Sequence, residues 1–179
     1  MVSPLNDAFP LALQVVDPDR IVEADVREDL LDGREPFSRI MAARERVTAG
    51  GALVVRAIFE PAPLYRVMAR EGFAHHTEEL APDDWRVWFY PDVTVLDVRE
   101  MDPPEPMAHT LVALERLPED GTFVQVNVRT PRFLLPKLEE RGFSYEIREV
   151  SPDRVHVFIR RSSPAVAASH STQLGHDHV

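Results

Sequence analysis

Asp25-Val26-Arg27-Glu28, followed by Glu35-Pro36, returns as Asp97-Val98-Arg99-Glu100, followed by Glu105-Pro106. The first pair is offset by 72 positions and the second by 70, so the first copy carries two extra residues in the intervening loop. Beyond that loop the 70-residue register holds. Glu45-Arg46 matches Glu115-Arg116, Gly51 matches Gly121, Pro61 matches Pro131, Gly72-Phe73 matches Gly142-Phe143, and Pro82-Asp83 matches Pro152-Asp153. Agreement at glycine, proline and charged positions together marks a tandem duplication. The expected division is an N-terminal extension over 1–19, repeats over 20–91 and 92–161, and a disordered Ser/Ala/His-rich tail over 162–179. Each repeat is close to the lower size limit for a self-sufficient core, so the copies are expected to pack together.

Within a repeat, turn residues punctuate the elements. The β-branched runs Ile21 to Val26 and Val93 to Val98 read as first strands. Pro36 and Pro106 then sit where a helix starts, since the first turn needs no N–H from proline. Spacings of three and four residues among Ile40, Met41, Ala43 and Val47, and among Leu111, Leu114 and Leu117, give each of these helices one buried face. Second strands span Ala52 to Ile58 and Thr122 to Val128. Second helices follow Pro61 and Pro131 and end at Gly72 and Gly142, where a left-handed residue is favoured. A hairpin with a Pro-Asp turn closes each copy. The fold class is therefore α/β, an α+β two-layer sandwich. Two tandem β-α-β-α-β-β repeats each form a four-stranded mixed sheet with two helices on one face and nothing on the other.

This order of elements resembles the TusA/SirA-like sulfur-carrier fold. Leu96-Asp97-Val98-Arg99 with Pro103-Pro104-Glu105-Pro106-Met107, then Pro131 and Leu134, more closely resembles the DUF2249 family of bacterial domains. The likeness covers nearly all of Val93 to Arg161 and, more weakly, Ile21 to Tyr90. Carriers of the TusA type hold a persulfide on a cysteine at the first helix. Aligned on Glu105-Pro106, that cysteine falls at Pro103, and in the first copy at Gly33. The resemblance thus implies the fold without its sulfur chemistry. Members of the DUF2249 family often show an Asp/His-rich segment before the second-helix proline. Here it reads Asn127-Val128-Arg129-Thr130 and Ala57-Ile58-Phe59-Glu60, which implies no histidine metal site.

The composition excludes more than the motifs support. A net charge of −10 does not suit a nucleic-acid backbone or an anionic bilayer. The absence of cysteine removes disulfides, thiolate nucleophiles and iron–sulfur ligation. The first residues show no basic, apolar secretory pattern, and no apolar run approaches membrane-spanning length, so a cytoplasmic location is expected. Among the seven histidines, His75 and His76 alternate across a strand, and His109 and His156 have no evident ligand partner. His170, His176 and His178 lie in the tail, where a weak divalent-ion contact is the most they offer. No metal and no cofactor is expected. The acidic pairs Asp32/Glu35 and Asp102/Glu105 precede helices and suit capping rather than acid–base work. Without a catalytic constellation, no enzyme activity is expected.

Two surfaces remain. At the C-terminal edge of the second copy's first two strands lie Arg99, Asn127, Arg129 and Thr130, with Arg132 expected in the first turn of the next helix. They offer an oxyanion or carboxylate site. The plainer alternative is a solvated rim in which Arg99 and Arg129 neutralise Glu100, Asp102 and Glu105. The second surface is the bare sheet face, on which Leu53, Val55, Trp88 and Tyr90, and Phe123 and Phe158 in the second copy, are expected to form an interface. The other repeat is its first expected cover, and a protein partner or a homodimer the alternative. The functional expectation is a cytoplasmic, non-catalytic adaptor that binds a protein partner or a small anion. The alternatives are an accessory protein of sulfur or redox metabolism without its own persulfide cysteine, and a weak histidine metal binder.

Overall fold

Strand β1 (Ile21–Asp25) pairs in parallel with β2 (Ala52–Ala57), Ile21 opposite Ala52 and Asp25 opposite Arg56. Parallel neighbours need a crossover. It is made by a one-turn helix α2 (Arg27–Leu31) and by α3 (Phe37–Glu45), capped where the Glu35 carboxylate accepts the Phe37 N–H at 2.7 Å. Helix α4 (Ala62–Arg70) then leads into the hairpin of β3 (Phe73–Ala81) and β4 (Asp84–Pro91). In the computed structural model, which describes residues 8–162, the strand order is β1-β2-β4-β3.

The second copy repeats this plan with β5 (Thr94–Asp97), α5 (Glu105–Glu115), β6 (Phe123–Asn127), α6 (Leu134–Glu140), β7 (Phe143–Ser151) and β8 (Arg154–Arg161), in the order β5-β6-β8-β7. The chain divides into two units, Met1–Asp92 and Val93–Val179. Gly72 and Gly142, at φ +80° and +76°, follow α4 and α6 in the left-handed conformation that ends a helix. The mixed four-stranded sheet with two helices on one face is the architecture that the punctuation of the sequence implies.

The helix-side core of the first unit joins Ile40 and Ala43 of α3 and Leu64 and Met68 of α4 to Leu53, Val55, Val87 and Phe89 of the sheet. That of the second joins Leu114, Leu134 and Leu138 to Phe123, Val157 and Ile159. These cores correct three assignments. Leu53 stands opposite Phe89, Val55 opposite Val87, and Phe123 opposite Ile159, so all three face the helices instead of the other side of the sheet. Directly opposed residues share a face, and a one-residue slip in register inverts every side chain. Ala52 to Val55 and Phe123 to Val126 are buried throughout, so these central strands carry no alternation from which the parity could be read. By strand alternation Arg56 faces away from the helices, opposite Arg86, and binds Asp84 with two contacts from Nη2 at 2.5 and 2.6 Å.

The far face of the first sheet is not bare. Phe9, Leu13 and Val16 lie over Ala52, Val54, Trp88 and Tyr90, with a single helical turn α1 (Leu11–Gln14) between them. Trp88 is only 1% exposed, its ring 5.6 Å from that of Phe9, and its indole N–H donates to Glu78 at 2.8 Å. Within this unit its cover is the N-terminal segment. So short a helix is marginal alone. It is held by packing, by the Gln14 amide donating to the Phe9 carbonyl at 2.7 Å, and by the Asp17 N–H donating to the Gly50 carbonyl at 3.1 Å.

In the second unit Phe158 does occupy the far face, opposite Val124, with the Arg148 guanidinium 4.7 Å above its ring. Arg148 and His156 stand where the first unit has Glu78 and Arg86, which pair there at 2.7 Å. Two basic groups thus replace an ion pair, and His156 is almost fully buried. Burial first, then the positive charges of Arg154, Arg148 and Arg99, push its pKa down to about 4.

Candidate functional site

The loops that leave the C-terminal ends of β5 and β6, with the turn between β7 and β8, enclose a cleft of about 820 Å³ in the second unit, and Glu149 is its one acidic lining residue. Arg99, Asn127, Arg129, Thr130 and Arg132 all line it, so the structure gathers every residue of the expected anion site around one space. Their roles differ. Arg99 folds back onto Asp97, its guanidinium donating at 3.0 and 2.7 Å and its backbone N–H at 3.1 Å. Burial alone would raise the Asp97 pKa, but these bonds hold the carboxyl below its usual range. Arg99 is thus tied to Asp97 and builds the wall more than it offers charge.

The first unit repeats this motif: Arg27 binds Asp25 at 3.0 and 2.6 Å. Asp-Val-Arg is thus a self-closing turn at the end of each first strand.

Arg129 and Arg132 are exposed and make no ion pair with any described residue. Arg132 lies in the turn before α6, which begins only at Leu134 and not directly after Pro131. The positive charge at this edge comes from two side chains and not from a helix end, because α6 spans only two turns. The first turn of α5 already carries Glu105.

Behind the arginines lies a buried polar chain. The Asn127 carboxamide oxygen accepts the Val128 N–H at 2.8 Å, fixing the turn out of β6, and its nitrogen approaches Gln125 Oε1 at 3.4 Å. The Gln125 nitrogen donates to Thr110 Oγ1 of α5 at 2.8 Å. Gln125 and Thr110 are wholly buried. Met107, Leu134 and Val155 supply apolar lining, and Phe133 stands 85% exposed beside the two arginines. Sequence reasoning missed Gln125, Thr110, Met107 and Phe133. A signal existed: at a shift of 70, Thr110, Gln125 and Asn127 replace Ile40, Val55 and Ala57, three polar residues for three apolar ones on the helix side.

The matching place in the first unit is filled differently. Its opening, about 630 Å³, is lined by Asp25, Glu28, Asp83 and Asp84 as well as Arg27 and Arg39. Asp84 is bound by Arg56 and reached by Arg27 at 3.4 Å, and Asp29 is bound by Arg34 and Arg39 at 2.8 and 2.6 Å. Hydrogen bonds from these arginines hold Asp25, Asp29 and Asp84 below the usual carboxylate range. The basic groups here are answered within the chain.

His75 stacks on Tyr65 at 3.9 Å while His76 meets Phe9 at 5.3 Å across the sheet, so the two rings serve opposite faces. Among the described residues no group of three or more metal-ligating side chains is placed to hold an ion. None of their helices is long and apolar enough to cross a membrane. His170, His176 and His178, with the tail that contains them, lie outside the described residues.

No curated protein and no solved structure matches the chain. One family model does, over residues 23–91 and again over 95–161, under the description "Uncharacterized conserved protein (DUF2249)". The two matched stretches coincide with the two sheets and together span most of the sequence, so the chain is a tandem member of the DUF2249 family.

Proposed function

We propose that this chain is a non-catalytic binding protein whose second unit takes a small organic anion in the cleft between α5, β6 and α6. The observation that carries this reading is the pair of exposed arginines, Arg129 and Arg132, unpaired among the described residues and set at the mouth of a cleft with apolar lining. A volume of about 820 Å³ falls in the range of small-molecule sites, which are mostly apolar with a few polar groups that fix orientation. The first unit supports the contrast, since Arg27 and Arg39 at its corresponding opening are paired with its own aspartates. With no cysteine in the sequence, any part in sulfur or redox metabolism would be that of an accessory.

Calorimetric titration of the full chain with benzoate tests the reading. Binding should weaken as salt rises, because exposed charges are screened, and should be lost in Arg129→Ala/Arg132→Ala. Equal binding by that variant would refute it.

A further inference from the structure

Burying an amide is costly unless it is hydrogen-bonded, and the first unit shows that this fold does not need one here. Ile40, Val55 and Ala57 fill the equivalent positions and are at most 2% exposed. In the second unit Gln125 is wholly buried yet borders the cleft. A carboxamide has two N–H donors and an oxygen with two lone pairs. Gln125 spends one donor on Thr110 and one acceptor position on Asn127, the latter at a long 3.4 Å. One donor and one acceptor position remain, and the Asn127 nitrogen makes only that long contact.

None of Thr110, Gln125 and Asn127 carries a formal charge, so together they suit an uncharged polar group. The charged end of a ligand belongs at Arg129 and Arg132. Between the two ends the walls are flat and soft: Pro103, Pro104 and Pro106 on one side and the Met107 thioether, which packs well on aromatic rings, with Phe133 exposed at the rim. An aromatic side chain so exposed at the edge of a cleft offers a stacking surface.

Resting on the reading of the cleft as an anion site, we propose that its ligand class is the planar organic acids that carry a carboxylate at one end and an uncharged hydroxyl, carbonyl or amide at the other. The carboxylate meets Arg129 and Arg132, the ring lies between the prolines and Phe133, and the neutral end is read by Gln125 and Asn127.

Two matched pairs of probes test this on the full chain by calorimetry: benzoate with 4-hydroxybenzoate, and cinnamate with 4-hydroxycinnamate. In at least one pair the hydroxylated acid should bind about ten-fold or more tighter, the size of one added buried hydrogen bond. Replacing Thr110, Gln125 and Asn127 by the first unit's residues (Thr110→Ile, Gln125→Val, Asn127→Ala) should bring that ratio to about one. Gln125→Met, which keeps the side-chain volume, should do the same if the triple variant fails to fold. Equal binding within both pairs, with loss in Arg129→Ala/Arg132→Ala, would overturn this inference and leave the anion site standing. Failure of all four acids to bind at millimolar concentration would overturn both.

Discussion

Asp84 sits between two guanidinium groups, Arg56 and Arg27, with its side chain 23% exposed. Removing one member of a half-buried ion cluster leaves the others uncompensated. Asp84→Ala should therefore destabilise the first unit by about 1 to 2 kcal/mol, read in urea melts. His156 gives a pH signature. The folded imidazole stays neutral down to about pH 4, while the unfolded chain takes up a proton near pH 6.5. Its contribution is thus complete above pH 6.5 and fades as pH falls toward 4, costing about 2 kcal/mol by pH 5. The carboxylates with lowered pKa lose their contribution chiefly below pH 5, as pH falls from their unfolded values toward the folded ones. His156→Leu should abolish most of the stability difference between pH 7 and pH 5, and an undiminished difference would rule out His156 as its source. At this scale Arg99, Asn127, Arg129, Thr130 and Arg132 were legible as a group because they cluster in sequence around two loops. Gln125 was not, because a single polar residue in a buried strand shows its purpose only against its apolar counterpart Val55. Leu53, Val55 and Phe123 were misplaced because parity in an unbroken apolar strand depends on pairing, which is not local information.

Among the elements, α1 departs most from expectation. Its single turn carries no strong helical pattern, yet Leu13 is fully buried and Phe9 and Val16 complete an apolar cover over Trp88. Leu13→Ala should cost about 2 to 4 kcal/mol through the cavity it leaves. It should also shift tryptophan emission to the red as water reaches Trp88. An unchanged spectrum and melting temperature would show that the segment does not hold the sheet face. The turn before β2 is constrained too: a Cβ on Gly51 would come within 2.4 Å of the Arg20 carbonyl oxygen. Gly51→Ala should therefore destabilise the first unit, whereas Gly50 in the same turn, at φ +77°, is held by its conformation. Helices and strands were legible because proline, glycine and apolar spacing mark them locally. The cover was not, since docking of α1 depends on a surface formed by residues some 40 to 80 positions away.

At the scale of the molecule, duplication has given two units with one architecture and different surfaces. The first closes both faces of its sheet with its own residues, helices on one side and Phe9, Leu13 and Val16 on the other. A fragment of residues 1–92 should therefore unfold cooperatively in a circular dichroism melt, and one of residues 18–92 should not. The first unit answers its arginines internally, and the second leaves Arg129 and Arg132 facing a cleft. Two-dimensional amide NMR of the full chain during titration with 4-hydroxybenzoate tests that division most directly. Shifts should centre on the Gln125 and Asn127 side-chain amides and the backbone of Met107 and residues 127–134, with Asp25 to Leu31 unmoved. Shifts centred on Asp25 to Leu31, or none at residues 127–134, would contradict it.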